Sequence, residues 1–136
     1  MLETVKSYLH RVSERRKSYR AGRRGTVHTI EHSADEMKLS WLSMENERGE
    51  LIISWEDVVK LEAFKRDLFT VDLICLDISL NDNKVVEINE EMNGWAPLMR
   101  KLPEYLYGCE KFDQWFDVVA QPPFKLSLTL IYQRDV

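Results

Sequence analysis

Apolar positions in residues 2–12 recur at intervals of three and four, at Leu2, Val5, Leu9 and Val12. That spacing places them on one face of a helix. Tyr19 rejoins the face further along, and Gly22 within RAGRRG should stop the helix. From Gly25 the rhythm shortens to alternation. GTVHTIEH (25–32), EMKLSWLSM (36–44) and ELIISW (50–55) read as strands, separated by the turns SAD and NERGE. SWEDVVKLEAFKRD reads two ways. Ser54, Glu56 and Asp57 suit a helix cap with Val58, Leu61 and Lys65 along one face, yet Val59, Leu61 and Ala63 alternate with Lys60 and Glu62. The β-branched pair that starts it favours a strand. TVDLICLDISL (70–80) and KVVEINEE (84–91) are two more strands, joined by the turn-forming Asn81-Asp82-Asn83. After Gly94, Trp95, Leu98, Met99, Leu102 and Leu106 share a helical face. Pro97 fits the first turn, and Pro103 is expected to kink or split the helix. Phe112, Trp115, Phe116 and Val119 mark a second short helix, stopped by Pro122-Pro123. FKLSLTLIYQR then closes the pattern as a strand with Leu126, Leu128, Leu130 and Tyr132 on one face.

These elements predict an α+β protein. An N-terminal amphipathic helix (residues 1–24) leads into a single domain (25–136) with a curled antiparallel sheet of about six to seven strands. Two short helices precede the last strand. The phrase ISWEDVVKLEAF, followed by a hairpin and a helix opening at Trp95, resembles bacterial pleckstrin-homology or GRAM-like domains. KRDLFTVDLICL and EEMNGW also read like a compact bacterial family of unassigned function. The resemblance spans about the last three-fifths of the chain and implies a partly open barrel. It carries no catalytic residues. A second helix and the strand after it depart from the pleckstrin-like plan, which normally ends on its helix.

Charge changes the picture more than composition does. The chain has 136 residues, of which 44% are hydrophobic and 31% charged, a globular balance that needs no metal or disulfide to fold. Residues 1–25 hold eight Lys/Arg against two Glu, a charge of +6, and the remainder holds eleven against twenty-one, a charge of −10. Lys6, Arg11, Arg15, Arg16, Lys17, Arg20, Arg23 and Arg24 make this leader a candidate surface for a partner or a polyanion. Leu2, Val5, Leu9 and Val12 are a candidate partner stripe, or a face that packs on the protein's own core. The acidic body offers the basic residues an internal counter-charge. No apolar run approaches the roughly 20 residues of a membrane span, and no secretory signal is evident, so a cytoplasmic address is expected. Cys75 lies in an apolar run and Cys109 in an unrelated context, which reads as reduced thiols.

Three clusters invite chemistry. His28-Thr29-Ile30-Glu31-His32 spells H-x-x-E-H, a zinc-hydrolase spacing that needs a helix to bring the imidazoles within about 6 Å. On a strand they stand about 13 Å apart, so His28 and His32 are weak metal candidates. Glu87, Glu90 and Glu91 crowd the end of a strand, with Glu87, Asn89 and Glu91 expected on a solvated face. Lys65, Arg66, Asp67 and Asp72 suggest a self-neutralising turn. Trp41, Trp55, Trp95 and Trp115 are scattered, as core plugs are. The glycine motifs of phosphate cradles, nucleophile elbows and paired C-x-x-C are absent. No cofactor and no catalytic residue is implied. The expected function is a non-enzymatic cytoplasmic binding or accessory protein that engages a protein partner or itself, a toxin-neutralising protein being one variant. The alternatives are a peripheral module touching anionic lipid or nucleic acid through residues 1–24, and a small metal-dependent hydrolase.

Overall fold

The computed structural model describes residues 26–67, 72–120 and 128–134. The leader residues 1–24, with every basic and apolar position singled out in them, lie outside the described residues. Half of the residues described lie in β-strands. The strands are β1 (Val27–His32), β2 (Glu36–Leu42), β3 (Arg48–Ser54), β4 (Val58–Asp67), β5 (Asp72–Leu80), β6 (Val85–Asn89) and β7 (Thr129–Gln133). Two helices, α1 (Trp95–Tyr105) and α2 (Phe112–Ala120), sit between β6 and β7.

The expected single curled sheet is corrected to two antiparallel sheets. One has the order β1-β2-β3 and the other β6-β5-β4-β7, so the fold is mainly β rather than α+β with one partly open barrel. The division falls at Trp55–Asp57, which forms one 3-10 turn. Trp55 is 4% exposed. Its backbone N–H donates to the Asp35 carbonyl at 3.2 Å, and its indole Nε1 donates to the Ser33 carbonyl at 2.8 Å. Pinned to the β1–β2 turn in this way, the chain leaves the first sheet. β4 then pairs with β5 and β7, not with β3.

Alternation explains the first sheet. Ile30, Met37, Leu39 and Ile53 point inward, while Val27, Lys38 and Ile52 stay outside. Asn83, at φ 71°, supplies the left-handed position of the β5–β6 turn, where Leu80 N–H donates to Lys84 O at 2.8 Å. α1 buries Trp95, Leu98, Met99 and Leu102 and runs through Pro103 to Tyr105 without splitting. The proline lies in the last turn, where a lost N–H bond disturbs little of the ladder. These helix faces join the inner face of the first sheet and Leu61, Ala63, Leu76, Ile78 and Ile88 of the second in one core.

The last strand corrects another expectation. Leu61 pairs with Tyr132, but Glu62 pairs with Leu130, so Ile131 is an extra residue in a bulge. Ile131 and Tyr132 are therefore both buried, while Leu130 is 48% exposed rather than sharing a face with Tyr132.

Candidate functional site

Where the two sheets and the end of α1 meet, a cleft of about 470 Å³ opens. Trp55, Tyr105, Tyr107, Tyr132 and Arg134 line it, with Asp35 and Glu56 among its polar groups. The rings come from different parts of the chain. Trp55 stacks on Tyr105 at 5.2 Å between centroids with 22° between planes. Tyr105 Oη shares a 2.6 Å hydrogen bond with His32 Nδ1 at the end of β1. Arg134, just after β7, donates from Nη2 to the Trp55 carbonyl at 2.9 Å and from Nη1 to the Glu56 carbonyl. Tyr132 is buried at the cleft floor, and Tyr107 is 99% exposed. The result is a preset aromatic wall with one free ring at its lip. Aromatic and arginine side chains of this kind carry much of the energy at protein interfaces.

The sequence pointed elsewhere. His28 and His32 do share the core-facing side of β1. His28 lies beside the Trp41 ring at 6.2 Å, whereas His32 is engaged by Tyr105. Among the described residues no group of three or more His, Cys, Asp or Glu side chains is placed to hold a metal ion. Burial lowers the pKa of both imidazoles, helped for His32 by the charge of Lys101. The folded state therefore prefers them neutral, and the unfolded state binds more protons just below the ordinary value of 6.5. Stability should be full above that value and fall as pH drops through the folded pKa values. Urea melts at pH 7.5 and 5.5 should show this fall, and His28→Gln should flatten part of it.

The acidic stretch after Val85 also divides. Glu87 is not solvated: it is 2% exposed and bonded to Arg66 Nη2 at 2.5 Å. Burial works against charge on Arg66, but the Glu87 contact outweighs it and raises the guanidinium pKa. Glu90 accepts from the Ile74 N–H at 3.0 Å and so closes the end of β5. Glu91 N–H donates to the Asn89 side chain at 3.0 Å in a local turn. The three carboxylates do not converge.

Of the expected charged turn, Lys65 and Arg66 belong to β4 and point to opposite faces. Lys65, 1% exposed, donates to the Ala120 carbonyl at the end of α2 at 3.1 Å and pairs with Asp72 at 3.5 Å. A lysine there meets the negative end of the helix dipole. Both thiols are kept protonated. Burial and the charge of Glu87 push Cys75 well up, and burial with Glu110 pushes Cys109 up to about 12. Neither supplies a thiolate nucleophile near neutral pH.

The cleft was missed because its members are far apart in sequence. The one signal available was the aromatic pair around Leu106, Tyr105 and Tyr107, too polar a flank for a simple core helix end. No helix among the described residues is long and apolar enough to cross a membrane. No family model matches the chain, and no curated protein or solved structure matches it.

Proposed function

We propose that this protein is a binding module without catalytic chemistry, whose partner is another protein seated on the aromatic cleft at the junction of the two sheets. The observation that carries this reading is the stacked Trp55–Tyr105 pair, fixed from behind by Ser33 and His32, with Tyr107 fully exposed beside it. Rings already held in one geometry lose little freedom when a partner arrives, so more of the contact energy appears as affinity. Asp35 and Glu56 in the lining favour a partner that presents a cationic side chain to the cleft. The −10 charge of residues 26–136 would steer a basic partner toward it.

Tyr107→Ala tests the reading, because this side chain is exposed and its loss should leave stability within about 0.5 kcal/mol of wild type. Wild-type and Tyr107→Ala proteins immobilised side by side should differ in one retained protein. That protein, once purified, should bind the variant ~10-fold or more weakly, as a truncated interface anchor does. Equal affinity for both forms removes the cleft as the docking site.

A further inference from the structure

The side of the second sheet turned away from the helices carries a charge arrangement that the cleft does not use. Glu62 on β4 lies opposite Asp77 on β5, and Asp77 lies opposite Glu87 on β6. Three carboxylates thus stand side by side across the sheet, with neighbours roughly 5 Å apart. They are 9%, 0% and 2% exposed. Lys60 and Arg66 contribute cations on the same face, through Glu62 at 3.1 Å and Glu87 at 2.5 Å. Beside the row, Phe64, Leu73 and Cys75 form an apolar cluster separate from the main core, joined by Leu128. All four belong to the sheet or its flank, so neither α1 nor α2 supplies the cover for this face. Buried carboxylates are tolerated where positive charge and hydrogen-bond donors face them.

We infer that residues 1–24 of the same chain dock on this face, setting their apolar stripe on Phe64, Leu73 and Leu128 and their basic side chains toward Glu62, Asp77 and Glu87. Three features favour that occupant. Charge comes first. The segments outside the described residues are 1–25, 68–71, 121–127 and 135–136, and of these the first carries +6, the second no charge, the third one lysine and the fourth one aspartate. Position comes second. Thr26, where the leader hands over to β1, lines one cavity with Asn89, which stands on this same face in the edge strand β6. Thr26 thus stands at the rim of the sheet. Reach comes third. A helix of that length spans about 36 Å, while the outer strands of a four-stranded sheet are roughly 15 Å apart. Leu2, Val5, Leu9 and Val12 with flanking Lys and Arg match a surface that is half apolar and half acidic. The leader then completes the fold in cis and is not free to bind a membrane.

Cys75 reports on the cover, and Cys109 serves as its control. Both are buried, but only Cys75 lies on this face. In the full chain, N-ethylmaleimide modification is followed at each thiol by peptide mass. Changing Leu2, Val5, Leu9 and Val12 to serine should speed modification of Cys75 by ~10-fold or more and leave Cys109 unchanged, as local uncovering does. An unchanged Cys75 rate overturns the inference. Trypsin supplies a second reading that needs no variant. The seven bonds that follow Lys6, Arg11, Arg15, Arg16, Lys17, Arg20 and Arg23 should be cut at least ~10-fold more slowly in the full chain than in a synthetic peptide of residues 1–24. Equal cutting overturns the inference whatever the variants do. Protection that disappears on dilution assigns the face to a second copy, and wild-type binding to phosphatidylserine vesicles at physiological salt assigns the leader to lipid. Either result overturns docking in cis.

Discussion

Replacing Arg66 with methionine is expected to cost roughly 3–5 kcal/mol of folding stability, because it strips a buried carboxylate of its guanidinium. Glu87 is 2% exposed and Arg66 reaches it from the neighbouring part of the same face, two strands away, at 2.5 Å. Methionine keeps most of the side-chain volume, so lost packing is a small part of the effect. The double variant Arg66→Met/Glu87→Leu removes both charges together and should recover most of the loss, since apolar replacement of a whole buried pair is often near neutral. Urea melts of the wild type, the two single variants and the double variant form the cycle. A single-variant loss below about 1 kcal/mol would mean that the pair behaves as a solvated surface bridge.

The second large effect is expected at Gly94, which precedes α1 at φ 94°. An alanine Cβ there would lie 2.2 Å from the Ile30 carbonyl oxygen, a collision with backbone that no rotamer can relieve. The left-handed conformation alone costs an alanine roughly 1–2 kcal/mol, and the collision adds to that. The contact lies where the first sheet meets the rest of the fold. Ile30 N–H donates to Asn93 O at 2.7 Å, and Asn93 N–H donates to His28 O at 3.1 Å, a short parallel bridge between β1 and the start of α1. Gly94→Ala must push β1 away from α1 or break these two bonds. Its thermal midpoint should fall further than that of Gly108→Ala. That glycine is also left-handed, at φ 89°, but has no atom within 4 Å of its added Cβ. The difference between the two midpoints isolates the collision from the backbone strain.

What the sequence revealed follows the range of each interaction. The Asn81-Asp82-Asn83 turn, the strands on either side of it and the helical face from Trp95 to Leu106 are local patterns, and all are present. The alternation of Val86, Glu87, Ile88 and Asn89 is local too, and it predicts one apolar and one polar side. It does not predict that the polar side is buried, because that depends on Asp77, Glu62 and Arg66 arriving through strand register. The division into two sheets rests on Trp55 meeting Ser33, a contact across 22 positions that periodicity does not carry. A single extra residue, Ile131, inverts the facing of Leu130 against an otherwise regular run of alternate leucines. The cleft gathers residues from Asp35 to Arg134, so no window of sequence contains it.

The strand order of the second sheet bears on how the chain assembles during synthesis. β1, β2 and β3 are consecutive hairpin partners, so they can pair as soon as about the first half of the chain has emerged from the ribosome. β4 has no such independence, because one of its flanks waits for β7, and Lys60 meets Gln133 only when nearly the whole chain is available. Until then the longest strand presents an unpaired edge of backbone N–H and C=O groups, the kind of template on which nascent chains aggregate. Slowing translation between the codons for α2 and β7 should therefore increase aggregation of this protein more than an equal pause between β3 and β4.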